Sequence, residues 1–181
     1  MNGSLLAWAA ALLGIERVAY AVIWRNPLAF RRWALRSLFS TLGGPVDALM
    51  LLCLIFKLIQ LGVFLSWIAT YGGGRLWPYS PEWRIASVGI VLVATGQALN
   101  LLVFRRLGTV GVFYGNRFGH DIPWCRRFPF TWFAHPQYVG TVVAIWGFFV
   151  LMRYPAPDWP ILPLLETAYY AAGAHFERER T

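Results

Sequence analysis

Residues able to do chemistry are concentrated in one stretch, GTVGVFYGNRFGHDIPWCRRFPFTWFAHPQYVG at 108–140, which holds five glycines, two of the three histidines, one aspartate and three arginines. Gly108, Gly111, Gly115 and Gly119 follow one another at spacings of three, four and four. On a helix that spacing shares one face and permits close packing of a neighbour; past a helix end, the same residues let the backbone approach a bulky ligand. They do not form a GxGxxG turn after a strand, so a dinucleotide-binding fold is not indicated. In AHPQYVG (134–140), Pro136 suits a first helical turn. The amides of Gln137, Tyr138 and Val139 then sit at the positive end of the helix dipole, where a carboxylate can be held. Tyr138 can donate a hydrogen bond or stack on a ring. His135, His120 and His175 are candidate proton acceptors. The tail AHFERER adds Glu177 and Glu179, which can bind hydroxyls or a cation or form a solvated charged end. Arg126 and Arg127 can grip a phosphate or simply mark the inner membrane face.

The elements that must position these groups are strongly apolar. Of 181 residues, 58% are hydrophobic and only 13% charged, which is not the composition of a soluble globular domain. Apolar runs cover 4–24, 46–70, 84–104 and 136–152, with a shorter helix at 161–177, and several approach the length of a membrane span. The expected fold is therefore an all-α integral membrane protein, a single domain over 1–181, with four to five transmembrane helices. Between Trp24 and Phe39, arginines alternate with Trp33, Leu35, Leu38 and Phe39, which predicts a basic amphipathic helix lying in the interface. The 105–135 stretch is read as a polar segment with room for a short interfacial helix.

Charge supplies the orientation. With the N-terminus outside, the segments 25–43 and 105–135 and the C-terminal tail hold eleven of the sixteen Lys and Arg residues, and the opposite loops hold only Arg75, Arg84 and Arg153. The positive-inside rule then puts the polar stretch and the tail on the cytoplasmic side, in a bacterial inner membrane or an endoplasmic reticulum. The excess of base over acid points to anionic lipid headgroups as partners, not nucleic acid. Lys57, Glu16 and Glu166 fall inside apolar runs, where an unpaired charge is costly, so Lys57 is expected to pair with Glu16 or Glu166. Cys53 and Cys125 suggest neither a disulfide framework nor a metal site. The first run carries Glu16 and Arg17 and no small-residue cleavage site, and is read as a retained helix.

The segment GQALNLLVFRRLGTVGVFYGNRFGHDIPWCRRFPFTWFAHPQYVG, with FKLIQ at 56–60, LWP at 76–78 and HFERE at the end, resembles the phospholipid N-methyltransferases. Within that family it is most similar to the plant-type enzymes that methylate phosphatidyl-N-methylethanolamine, and the isoprenylcysteine carboxyl methyltransferases are cousins. The likeness spans roughly 56–179. It implies an integral membrane enzyme that moves a methyl group from S-adenosylmethionine to the headgroup amine of a phosphatidylethanolamine derivative, with no metal. It attributes the donor site to Gly108, Gly111 and Glu177. Eukaryotic relatives often carry two adjacent carboxylates where this chain has Glu177-Arg178-Glu179. The position of His135 is often Asp or Asn in lipid-methylating relatives, and His-Pro-x-Tyr-x-Gly is more typical of the prenylcysteine group. On this reading Gly115, Gln137, Tyr138, Val139 and Glu179 join the donor site, His175, His135, His120 or Glu177 takes the proton of the acceptor amine, and Arg126 and Arg127 hold the lipid phosphate. Two other readings use the same residues: a methyltransferase acting on another apolar acceptor, such as a prenylcysteine carboxylate or a thiol, and a catalytically silent membrane scaffold.

Overall fold

The computed structural model describes residues 3–36, 41, 43–74, 76, 82–123 and 125–177. It is all-helical, with no strand among the described residues: α1 (Gly3–Arg25), α2 (Pro27–Arg36), α3 (Pro45–Tyr71), α4 (Trp83–Val112), a 3-10 turn (Gly115–Phe118), α5 (Pro136–Leu151) and α6 (Ile161–Phe176). Pro27, Pro45 and Pro136 each open a helix, where a missing N–H costs nothing. Among the described residues, three helices are long and apolar enough to cross a membrane: α1, α3, and α4 together with the turn that follows it. At 16 residues each, α5 and α6 reach about 24 Å, a little less than a typical hydrocarbon core. Trp8, Ile15, Val18 and Val22 on α1, and Leu54, Ile55, Leu58 and Leu61 on α3, face outward. Such continuous apolar exposure suits lipid and would aggregate a soluble protein. The chain is an integral membrane protein.

The helix of the third apolar run does not end at 104. α4 carries on through exposed Arg105 and Arg106 to Val112, breaking only at Gly108, where φ 66° and ψ 176° leave the helical region. Helical hydrogen bonding continues into the interface after hydropathy has fallen, so the hydropathy boundary falls short of the structural one. The polar stretch then shrinks to the turn at 115–118 and irregular chain over 119–123 and 125–135. The interfacial helix expected between 24 and 39 is α2, with Arg31, Arg32 and Arg36 exposed. Its buried face is Phe30 and Ala34, and Phe30 stacks on Phe118 with centroids 5.6 Å apart. Residues 37–40 lie outside the described ones.

The tightest contact joins α4 to α5. Gly89 and Gly96 on α4 meet Gly147 and Gly140 on α5, each pair seven residues apart. A Cβ on Gly96 would lie 2.3 Å from the Gly140 carbonyl oxygen, and one on Gly147 would lie 2.6 Å from the Val93 nitrogen. The heptad spacing keeps both glycines of each helix on one seam, so the backbones touch.

Two apolar cores divide the bundle. One gathers Leu13, Val63, Trp67, Phe149 and Leu162 from α1, α3, α5 and α6. The other gathers Ile23, Phe30, Leu49, Val103 and Phe118 around α2 and the end of α4. Between them along α1 and α3 lie Glu16, Arg17, Lys57 and Gln60, and beside these a large cavity opens.

Candidate active site

The cavity is about 680 Å³, within the ~300–1,000 Å³ of small-molecule sites. α1 contributes Arg17, Tyr20 and Trp24 to its wall, the end of α4 contributes Leu107 and Gly111, and α5 and α6 contribute Gln137, Tyr138, Tyr170 and Glu177. Glu177 caps α6, and its amide donates to the Gly173 carbonyl. Its carboxylate oxygen Oε1 accepts hydrogen bonds from the hydroxyls of both Tyr114 and Tyr138. Tyr114 reaches it because the chain turns sharply after α4: Tyr114 has φ 56° and ψ 28°, left-handed values rare for a residue with a side chain. Its ring stands edge-on to Trp24, centroids 5.0 Å apart. Tyr138 stacks on His135 at 5.5 Å and 16°. The mouth of the cavity is thus a carboxylate held in an aromatic collar, an arrangement suited to a ligand carrying positive charge or hydroxyl groups.

A second polar group lies deeper. Lys57 Nζ donates to Glu16 Oε1 at 2.9 Å, Gln60 Oε1 at 3.1 Å and Tyr170 Oη at 2.9 Å. Gln60 donates in turn to Glu166 Oε1 at 2.6 Å. The expected pairing of Lys57 therefore falls on Glu16, and Glu166, 1% exposed, is bound through Gln60 instead. A lysine with all three N–H bonds used is a strut. It ties α1, α3 and α6 together at the depth where an unpaired charge would be most costly.

Of the residues singled out in sequence, Glu177, Tyr138, Gln137, His135 and Gly111 line the cavity together. Gly108 does not: it is exposed, its position relieves backbone geometry, and a Cβ there would meet nothing within 4 Å. Gly115 is buried against Val110, whose carbonyl oxygen would lie 2.5 Å from an added Cβ. His120, Arg126 and Arg127 are exposed and are not part of the wall. His175 is exposed too and contacts Phe176. Two residues from Glu177 is about 200° around a helix, so nearness in sequence turns that histidine away from the cavity. The amides of Tyr138 and Val139 both donate to the His135 carbonyl, so they serve the first turn of α5. Glu179 lies outside the described residues. Tyr114, Tyr20 and Arg17 were missed. Tyr114 had a signal, a tyrosine beside Gly115 in the glycine run; Arg17 and Tyr20 sit three apart in an apolar run and had only their polarity to mark them.

A membrane-embedded helical bundle with an aromatic-walled cavity that holds both carboxylates and cations defines the class, and the comparison with known families agrees with it. Residues 85–181, more than half of the chain, match the phospholipid methyltransferase family, and the chain belongs to that family. It is similar to the phosphatidyl-N-methylethanolamine N-methyltransferase of Arabidopsis thaliana, 48% identical over 54 residues, covering 30% of this chain and 33% of the relative. The likeness thus spans a third of the curated relative's length. No solved structure matches the chain.

Proposed function

We propose that this protein is an S-adenosylmethionine-dependent N-methyltransferase that carries mono- and dimethyl-phosphatidylethanolamine towards phosphatidylcholine. The observation that carries this reading is Glu177, held by Tyr114 and Tyr138 in the wall of a cavity large enough for a nucleoside and a lipid headgroup. The family and the Arabidopsis relative support a phospholipid acceptor over a prenylcysteine or a silent scaffold.

The residues present fit such a donor. Glu177 offers a carboxylate to ribose hydroxyls or an ammonium, and the Tyr138 and Trp24 rings suit a sulfonium. When bound, the donor supplies a methyl group activated on sulfur. The acceptor nitrogen takes it by in-line displacement: an N–C bond forms, the S–C bond breaks with its electron pair left on sulfur, and the amine proton leaves to a base. Nothing else is made or broken, so alignment of the two ligands by the walls supplies much of the rate. The bases at hand in the wall are His135 and Glu177. Gly111 keeps the wall thin where α4 ends, since a Cβ there would lie 2.7 Å from the Leu107 Cβ. Arg126 and Arg127, exposed in the segment before α5, attract anionic headgroups to the same rim. The excess of basic residues in these segments argues for a cytoplasmic mouth.

The test is transfer of labelled methyl from S-adenosylmethionine to phosphatidylethanolamine and its mono- and dimethyl forms, assayed separately, with Glu177→Ala as control. Label in the methylated lipids, lost in the variant, is expected. A wild-type protein that binds the donor and labels none of them overturns the acceptor assignment.

A further inference from the structure

The deep end of the cavity holds a buried cation with hydrogen-bond donors left over. Arg17 is 8% exposed and lines the cavity. Its guanidinium lies over the Tyr170 ring, Cζ 3.7 Å from the centroid, and its Nη2 is 3.0 Å from Glu16 Oε1. Yet neither Nε nor Nη2 makes a directed hydrogen bond. One helical turn further along α1, the buried Tyr20 hydroxyl also lacks an oxygen or nitrogen partner; the weakly accepting Cys53 thiol lies beside it. Positions 17 and 20 share a helix face, and both side chains border the same cavity.

The neighbouring Lys57 shows what a purely structural cation looks like here, since its three N–H bonds go to three protein acceptors. Arg17 is different. A buried guanidinium with idle donors is costly unless something completes it. A ligand that enters the cavity with acceptor oxygens to offer would complete it.

We propose that Arg17 and Tyr20 form an oxyanion subsite that takes a carboxylate or phosphate group of one of the two substrates. Arg17 packs against α6 at Gly173, its Cδ 3.8 Å from where a Cβ of that glycine would lie, one turn before Glu177. Glu177, at the end of that helix, lines the same cavity. The cavity therefore presents a carboxylate and a guanidinium with donors to spare, a pattern matched by a zwitterion. The amino-acid end of the methyl donor and the headgroup of a phosphatidylethanolamine are both zwitterionic; the choice of these two ligands rests on the function proposed above, while the subsite itself does not. Neither residue falls within 85–181, so the family likeness carries no part of this assignment.

The experiment uses the full chain in detergent and the variants Arg17→Gln, Arg17→Lys and Tyr20→Phe, with Arg36→Gln on α2 as a control for lost charge. Three readouts are taken on proteins that melt cooperatively. The first is thermal stabilisation by inorganic phosphate over sodium chloride of equal ionic strength, which should occur in the wild type and Arg36→Gln and vanish in Arg17→Gln. The second is binding of S-adenosylhomocysteine against methylthioadenosine, which lacks the carboxylate. If the donor supplies the oxyanion, Arg17→Gln loses about tenfold for the first and keeps the second within about twofold, tenfold being worth 1.4 kcal/mol. The third is the KM for monomethyl-phosphatidylethanolamine. If the lipid phosphate is the oxyanion, this rises about tenfold at near-constant kcat, as lost uniform binding requires, and nucleoside affinity is unchanged. Arg17→Lys keeps the charge but not the planar fork and should recover only part of either loss. Tyr20→Phe should reproduce a smaller loss if Arg17→Gln does not fold. Folded variants that retain phosphate stabilisation, nucleoside affinity and lipid KM overturn the proposal. A wild type stabilised by phosphate through Arg17 that binds neither nucleoside nor lipid upholds the subsite and overturns the methyl-transfer reading.

Discussion

Two sets of glycines do opposite work in this molecule. Gly89, Gly96, Gly140 and Gly147 lie inside regular helices, and each is there because a neighbouring backbone occupies the place of its Cβ. Gly108 and Gly119 have open space around them and are there because of their torsions, φ 66° and 94°. Gly111 and Gly115 fall between, in ordinary torsions but crowded by Leu107 and Val110. The seam glycines hold α4 against α5 and so fix where His135 and Tyr138 emerge. The terminal glycines relieve the backbone on either side of the turn, while Tyr114's own left-handed torsion brings its hydroxyl to Glu177. One set determines whether the cavity has walls, the other serves the chain that runs past it. Spacing alone does not separate them: the run at 108–119 has the packing motif's spacing, and the seam that packs is spaced by seven.

The comparison is broken most directly at the seam. Gly96→Ala drives a methyl group to 2.3 Å from the Gly140 carbonyl, and backbone cannot step aside as a side-chain tip can. The loss should lie at the upper end of the about 1–3 kcal/mol typical of overpacking, read from equilibrium unfolding in detergent. Activity per folded molecule should fall as well, since α5 carries His135 and Tyr138 into the wall. A stability equal to wild type would show that the two helices separate readily and that the seam is not what orders the site.

Glu177→Gln separates the chemistry from the scaffold. The side chain keeps its size, and the Tyr114 and Tyr138 hydroxyls keep an acceptor, but a neutral one. Losing a charge-assisted bond costs about 1.5–3 kcal/mol, so kcat/KM should fall by roughly 10- to 100-fold while the melting temperature stays close to wild type. Tyr114→Phe should give part of the same loss. A Glu177→Gln protein that methylates lipid at the wild-type rate would leave Glu177 as the cap of α6 and nothing more.

Gly108→Ala sharpens the contrast among the glycines. Its torsions fall in a region open essentially to glycine alone, so the substitution should cost roughly 1–3 kcal/mol of stability. Because the position is exposed and not in the cavity wall, donor affinity should move by less than about twofold, or ~0.4 kcal/mol. The resemblance attributes this glycine to the donor site. A tenfold loss of donor affinity at unchanged stability would support that attribution.

Much of the fold was legible because hydropathy writes membrane helices directly. The runs at 4–24, 46–70 and 136–152 differ from α1, α3 and α5 by one residue at each end or less. α4 was cut short because Arg105 and Arg106 end the apolar run without ending the helix. At the site, Glu177 and Tyr138 were legible from residue type and from the family resemblance. Tyr114 was not, since its role depends on a left-handed torsion that only the folded turn reveals. Arg17 was not, since a guanidinium in an apolar run looks the same in sequence whether its donors are satisfied or idle. The heptad seam was overlooked because its glycines stand on helices 44 residues apart, as Gly96 and Gly140 do, and only the packing joins them.

The histidines set the smallest expected effect beside a large one. In sequence His175 sits beside Glu177 and looks like the natural base; in the fold it points away, exposed against Phe176, while His135 stacks on Tyr138 in the cavity wall. If nearness in space and not in sequence selects the proton acceptor, His175→Ala should leave kcat/KM within about twofold, inside the ±0.5 kcal/mol of an ordinary exposed substitution. His135→Ala should cost far more if its imidazole takes the amine proton, about 100-fold or more, as expected of a lost general base. If His135→Ala is as mild as His175→Ala, the base is Glu177. If His175→Ala is the severe one, the end of α6 must rotate when substrates bind, and the outward face seen here is the resting arrangement.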